Sequence, residues 1–281
     1  MNNIKLNNGI EMPILGFGVY KIENYEECKK SCIYAIEAGY RHIDTASIYM
    51  NEKAVGDAIK ESGINRKEMF ITTKLWIQDA DYDKAKKAFQ ISMEKLGLDY
   101  LDLYLIHMPF GNYYSAWKAM EELYEAGYIK AIGCCNFYKE RLIDFVSHNK
   151  IIPAINQIET HPFFQRWEDQ YLMEEYNIKL ESWGPLAEGM NNIFNNEVLK
   201  NIAKKYNKTS AQIILRWLTQ RNIPIIPKSV NKDRIIENSK IFDFTLDDDD
   251  MNIIKTLDNN KNIIFLNDDA KFIKQLLSMK Y

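Results

Sequence analysis

Short apolar runs alternate with amphipathic stretches along most of the chain, after one exception at its start. Residues 4–13 read as a hairpin: Ile4-Lys5-Leu6, a turn at Asn7-Asn8-Gly9, then Ile10-Glu11-Met12 before Pro13, with Asn-Gly as the turn signal. From Ile14 onward the pattern changes. Ile14–Gly18, Arg41–Asp44, Met69–Lys74, Leu101–His107, Ile129–Gly133, Ala154–Gln157, Ile178–Trp183 and Pro224–Ile226 are strand candidates. The fourth is nearly all apolar, as a strand covered on both faces should be. Helical stretches lie between them. Asn24 with Glu27 marks a capped start and Gly39 a stop. Asn51 opens a helix with Val55, Ala58 and Ile59 on one face, ending near Gly63. Ala85, Phe89, Ser92 and Leu96 form the stripe of the next, which stops at Gly97. Further helices are expected near 114–126, 138–148, 166–176, 195–206, 209–220 and 232–240.

Alternating units of this kind argue for an α/β fold with a parallel sheet. Eight of them in about 250 residues predict a closed (β/α)8 TIM barrel. It would carry the N-terminal hairpin and two extra helices, one before the last strand and one in the tail. No Pro/Gly/Ser-rich linker interrupts residues 1–281, so a single domain is expected. Phe272, Ile273, Leu276 and Leu277 share one helical face in the tail, which should dock on the barrel. The run Asp247–Asp250 reads as a solvated helix start, where acids suit the helix dipole.

Composition narrows the function classes. Hydrophobic residues make up 46% of 281 and charged ones 27%, enough for a large core. A net charge of −3 gives no footprint for nucleic acid or an anionic membrane. No apolar run reaches transmembrane length and the polar start is no signal peptide, so the cytoplasm is the expected location. No exposed heptad seam calls for an assembly, and a monomer is expected. Four cysteines fit a reduced compartment. Cys28 and Cys32, one helical turn apart, read as a packed helix face, and Cys134-Cys135 as small strand-end residues; no metal site is expected.

Candidate chemistry gathers at the strand ends, where a barrel builds its site. Asp44, Lys74 and His107 end three strands, and Tyr49 follows Asp44 in a loop. Each has a bland reading alone: a turn residue, a solvated strand end, a core histidine, a packed ring. Together they make a proton donor. A phenol has a pKa of about 10, which a nearby ammonium lowers. Lys74 supplies that charge, Asp44 keeps Lys74 protonated, and His107 orients a substrate oxygen. Tyr49 then acts as general acid toward an oxygen gaining negative charge.

The chain resembles the aldo-keto reductase superfamily, and within it the small bacterial aldehyde and ketone reductases. The resemblance rests on Gly16-Phe17-Gly18-Val19-Tyr20, Ile43–Ala46 with Tyr49, Lys74-Leu75-Trp76, Leu105-Ile106-His107 and Ile132–Phe137. Asn156–Glu159, Trp183–Leu186 and Ile226–Val230 complete it over about residues 4–260. It implies Asp44, Tyr49, Lys74 and His107 as a catalytic tetrad, NADPH (NADP) as cofactor, and a small carbonyl compound as substrate. A dinucleotide fingerprint is absent, since Gly16-x-Gly18 lacks a third glycine. By resemblance, Gly18, Val19, Tyr20 and Asp44 border the cofactor, and Cys135, Asn136 and Gln157 hold its carboxamide. Trp183 stacks on the nicotinamide. Gly184, Pro185, Leu186 and Glu188 wrap the pyrophosphate. Lys228, Ser229, Val230, Asn231 and Arg234 take the adenosine 2′-phosphate, where Arg can bind bidentately. Glu237 and Asn238 hold the adenine, and Tyr20, Trp76, His107 and Phe110 line the substrate pocket.

Three residues depart from the family pattern. Cys135 replaces a usual Ser, a weaker donor. Gly184 replaces a frequent Ser, and Met108 stands where many members have Trp, which makes the pocket wider or more adaptable. The preferred reading is NADPH-dependent reduction of aldehydes and ketones, small dicarbonyls included. The alternatives are an NADPH-binding regulatory subunit of the same fold, and another barrel enzyme such as a phosphosugar isomerase.

Overall fold

The computed structural model describes residues 2–265 and 269–279. β1 (Asn3–Lys5) and β2 (Glu11–Pro13) pair antiparallel as the expected hairpin. A seven-stranded parallel sheet follows in strict sequence order. Its strands are β3 (Phe17–Gly18), β4 (His42–Asp44), β5 (Phe70–Leu75), β6 (Leu103–Ile106), β7 (Ile132–Cys135), β8 (Ile155–Glu159) and β9 (Lys179–Trp183). Helices α1 (Tyr25–Glu37) to α6 (Trp167–Glu175) fill the connections from β3 to β9, each between one strand and the next. α7 (Glu197–Tyr206), α8 (Ser210–Gln220), α9 (Lys232–Ser239), α10 (Asp248–Lys255) and α11 (Ala270–Ser278) complete the order.

The local signals act as their chemistry requires. The Asn24 side chain accepts from Glu27 N and caps α1. Thr209 and Gln212 form a reciprocal capping box on α8. Gly63 and Gly97 end α2 (Glu52–Ser62) and α3 (Tyr82–Leu96) in the left-handed region. Gly56 is needed for packing: a Cβ there would lie 2.2 Å from Leu96 O, so the α2 and α3 backbones touch at this point.

Two expected strands differ. Pro224–Ile226 is not a strand among the described residues. Ile225 forms isolated parallel bridges to Leu15 and to Ser182, so it touches both edges of the curled sheet. Pro224 and Pro227 have no N–H to donate, which prevents a longer ladder on either side of Ile225. The strand expected at Ile129–Gly133 is shifted to Ile132–Cys135, and Ile129 keeps one bridge to Leu101.

The hairpin plugs the end where the strands begin, with Ile4, Leu6, Met12 and Ile14 against Phe70, Leu103 and Ile155. Between sheet and helices lies the main core, in which Cys28 and Cys32 are fully buried on α1. At the other end, Trp76, Phe265 and Leu276 form a third cluster. The tail face is only half used: Leu276 is buried there but Leu277 is 46% exposed. Asp247 caps α10, whereas Asp250 is buried and accepts from Lys205 Nζ (2.9 Å) and Tyr206 Oη (2.5 Å). The acidic run is thus a helix start with Asp247–Asp249 exposed, as expected, while Asp250 departs from the solvated reading.

Candidate active site

The ends of β4, β5 and β6 bring Asp44, Lys74 and His107 together, and Tyr49 reaches them from the short 3-10 turn Ser47–Tyr49. Lys74 Nζ donates to Asp44 Oδ1 (2.5 Å) and Thr45 O (3.0 Å), and lies 3.5 Å from Tyr49 Oη. Tyr49 Oη is 3.4 Å from His107 Nε2. Ser47 Oγ donates to Lys74 O (2.9 Å), tying the turn to β5. Asn51 anchors the turn from behind. Its side chain does not cap α2; it accepts from Thr45 Oγ1 (2.7 Å) and donates to Val19 O (3.0 Å) and Ile22 O (3.2 Å).

Electrostatics follow from burial. Lys74 is fully buried, which alone would favour its neutral form, but the Asp44 carboxylate outweighs this and holds the ammonium above its usual range. Burial pushes the Tyr49 phenol up, and the Lys74 charge opposes this only in part. Lys74 lowers the phenol pKa as the sequence suggests, but burial outweighs it: the net direction is upward, and Tyr49 keeps its proton at neutral pH. Burial and then Lys74 hold His107 well below its ordinary value, so its ring is neutral.

The neighbouring strands carry the amide cluster. Cys135, Gln157 and Glu181 lie in one register across β7, β8 and β9. Gln157 Nε2 donates to Asp44 Oδ2 and to Glu181 Oε2, both at 2.9 Å. Cys135 Sγ is 3.9 Å from Gln157 Oε1. Asn136, at φ 63°, donates to His107 O (3.2 Å) and Met108 Sδ (3.4 Å) and accepts from Trp183 Nε1 (3.0 Å). Trp183 is half-buried, so part of its surface stays open for stacking.

Gly18 N donates to Pro227 O (3.2 Å) and Val19 N to Asp44 O (3.1 Å), which places that loop at the rim of the site. Tyr20 is 48% exposed, with its ring 5.0 Å from that of Tyr49. Beyond β9, Gly184 and Glu188 have positive φ, Pro185 is buried and Leu186 half-buried. Lys21 Nζ meets Glu188 Oε2 at 2.7 Å, so Glu188 already has a cationic partner. Past Ile225, Ser229 Oγ accepts from Asn231 N, and Asn231 caps α9 by accepting from Arg234 N. Lys228, Val230 and Arg234 are exposed. Neither cation has an ion-pair partner among the described residues. Two exposed cations beside a helix N-terminus suit a phosphate. Glu237 is occupied by Thr209 Oγ1 (2.8 Å), and Asn238 is buried.

Trp76 is buried, edge-on to His107 at 5.1 Å, and donates to Met279 O (3.2 Å). Phe110 is half-buried beside Met108 in the same cluster, under Arg141. Sequence reasoning missed what holds this cover. Glu159, fully buried, accepts backbone N–H groups from Ile263 (2.8 Å), Ile264 (3.0 Å) and Phe265 (2.8 Å), with His161 Nε2 at 3.1 Å. It also missed Glu181 and His42. Their signal was present as polar residues inside apolar strands, at positions that face the sheet interior.

The aldo/keto reductase family profile matches residues 14–259. The chain is 47% identical over 263 residues to glyoxal reductase of Bacillus subtilis, covering 93% of this chain and 95% of that one. It is 44% identical to methylglyoxal reductase DkgA of Escherichia coli, covering 92% and 94% of the two chains. Among solved structures, an aldo-keto reductase from a Medee basin deep-sea metagenome library superposes with a TM-score of 0.92 at 45% identity, over 95% of this chain and 99% of that one. An aldo-keto reductase of Bombyx mori, solved with NADP, gives 0.90 at 34% identity over 95% and 96%. The Tyr-Lys-Asp-His cluster, the sheet that carries it and these relatives lead to one conclusion: the chain belongs to the aldo/keto reductase family.

Proposed function

We propose that the protein reduces aldehydes and ketones, small dicarbonyls included, to alcohols with NADPH, with Tyr49 as the general acid. The observation that carries the reading is the Tyr49 hydroxyl set between Lys74 Nζ at 3.5 Å and His107 Nε2 at 3.4 Å. A bound NADPH supplies the hydride. Everything else falls to the protein. His107 Nε2 donates to the substrate oxygen and orients it. Tyr49 Oη delivers its proton to that oxygen as negative charge develops there. The Lys74 ammonium stabilises the phenolate left behind, and Asp44 keeps Lys74 charged and placed. Trp183, Asn136 and Gln157 would hold the nicotinamide end, and Lys228, Ser229 and Arg234 the 2′-phosphate. Ile225, bridging both edges of the sheet, supports reading it as a (β/α)8 barrel closed at one residue.

The names of the relatives, glyoxal and methylglyoxal reductase, support small dicarbonyls as the substrate class. No helix among the described residues is long and apolar enough to cross a membrane. The test is Tyr49→Phe. We expect reduction of methylglyoxal to fall at least a hundredfold while NADPH still quenches tryptophan fluorescence. Wild-type turnover in the variant would exclude the acid role; no NADPH oxidation by the wild type with any small aldehyde would exclude the reaction.

A further inference from the structure

Below the tetrad lies a carboxylic acid that the proposed reaction does not use. Glu181 on β9 is fully buried. Its Oε2 accepts from Gln157 Nε2, and its Oε1 has no hydrogen-bond partner among the described residues. His42 Nδ1, also fully buried and without a partner, lies 4.0 Å from Oε1. His42 Nε2 is engaged with Thr72 Oγ1 at 3.0 Å. Gly16 presses on the same ring: a Cβ there would lie 2.4 Å from Nδ1. The imidazole is therefore locked with one bare nitrogen toward one bare carboxyl oxygen.

The amide of Gln157 has only two N–H bonds. Asp44 takes one and Glu181 the other, so both hydrogens are spent on acceptors and the orientation of the amide is determined. Its oxygen is left facing the Cys135 side. A buried carboxylate needs a donor at each oxygen. Oε1 of Glu181 has none within hydrogen-bond distance among the described residues, and His42 Nδ1, itself without a partner, lies 4.0 Å from it. We propose that Glu181 is a positioning residue: as a neutral acid with its proton on Oε1 toward His42, it fixes Gln157 so that only the Gln157 carbonyl oxygen can receive a carboxamide N–H. The inference rests on the NADPH reading of the site.

The surrounding charges agree. His42 and Asp44 face Glu181 from β4, Lys74 from β5 and Cys135 from β7, with Tyr49 beyond Lys74. β3 and Ile225 bring no charge. Lys74 is the one cation, and Asp44 already matches it. Burial first, and then the Asp44 charge, push the Glu181 carboxyl up to about 8, against Gln157 and Lys74. Burial and Lys74 lower His42 to about 3, so the proton belongs to Glu181. When Glu181 ionises, a second negative charge enters beside Asp44. It makes Tyr49 a weaker acid, and reduction should slow as pH rises through about 8.

The experiment compares the wild type with Glu181→Gln and Glu181→Leu, each checked for folding by its melting curve. Infrared difference spectra of wild type minus Glu181→Gln at pH 7 should show a protonated-carboxyl stretch, without any cofactor. Glu181→Leu leaves one N–H of Gln157 unpaired and should raise the Kd for NADPH about tenfold, a shift of about 1.4 kcal/mol. Glu181→Gln, which can accept from Gln157 and donate to His42, should recover most of that loss. It should also lack the alkaline fall in kcat. An infrared spectrum without the protonated carboxyl overturns the proposal. So does an unchanged Kd in Glu181→Leu, or a wild-type alkaline limb in Glu181→Gln. If Glu181→Leu does not fold, the spectrum and the Glu181→Gln profile decide alone. Wild type that shows the carboxyl stretch but binds no NADPH overturns the cofactor role and the reading beneath it, while leaving the proton assignment standing.

Discussion

Replacing Glu159 by Gln exchanges one carboxylate oxygen for an NH2 group and leaves shape almost unchanged. In the wild type the two oxygens gather three backbone N–H groups, from Ile263, Ile264 and Phe265. The amide oxygen can keep the two on Oε1. The third, from Phe265, then faces a donor. A buried N–H left unpaired costs about 1–3 kcal/mol, and the two remaining bonds lose their charge assistance, about 1 kcal/mol each. Part of this is offset, because a neutral amide is easier to bury than a carboxylate. A net loss of ~3 kcal/mol in local stability is expected, or ~100-fold in the opening equilibrium. The assay is amide hydrogen exchange at Ile263, Ile264 and Phe265, corrected for intrinsic rates. Phe265 packs against Trp76, so KM for carbonyl substrates should rise as well. The pH dependence supplies a second check. Burial tends to raise the Glu159 pKa, but His161 and the N–H groups of Ile263 and Phe265 outweigh it, and the net direction is down. A depressed carboxyl stabilises the folded form above its unfolded pKa, and this is lost as pH falls through the folded value. Wild-type protection should therefore weaken in acid, and the variant's should not. Protection within threefold of wild type in Glu159→Gln would refute the anchoring argument.

Two further outcomes concern the buried charges and the proposed phosphate site. Lys74→Met leaves Asp44 buried without its cation; it should lower stability by about 3–5 kcal/mol in denaturant unfolding, and adding Asp44→Asn should restore much of it. Equal stability of single and double variants would show that the pair is not coupled. Arg234→Ala should raise the Kd for NADPH tenfold or more while changing that for NADH less than threefold, as seen by fluorescence titration. A common shift for both would place Arg234 away from the 2′-phosphate.

The parts of the fold legible in the sequence are those where local chemistry and tertiary packing agree. Asn24, Thr209, Gly63 and Gly97 end their helices as caps should. The strand ends that carry Asp44, Lys74 and His107 were placed because apolar runs stop there. Pro224–Ile226 looks like a strand because it is apolar, while Pro224 and Pro227, on either side of Ile225-Ile226, deny it a ladder. Asp250 was read as solvated because a run of acids normally is, and Lys205 and Tyr206, 45 and 44 residues away in sequence, cannot be seen locally. Glu181 and His42 escaped for a related reason. In an enclosed sheet the interior face can be polar, which inverts the pattern that identifies buried positions. The sign of the Tyr49 shift was missed because the sequence shows Lys74 but not the burial that outweighs it.

Asn136 and Gln157 have spent their amide N–H donors inside the protein: Asn136 on His107 and Met108, Gln157 on Asp44 and Glu181. An amide arriving at this end finds few idle donors, so whatever it gains is largely an exchange of one bond for another. Much of the tightness would then come from elsewhere, from the open face of Trp183 and from Lys228 and Arg234, which have no ion-pair partner among the described residues. On the proposed reading, the nicotinamide end would decide which way round a dinucleotide sits, and the far end would contribute most of its hold. Added salt should accordingly loosen NADPH without altering the face of the ring presented to the carbonyl.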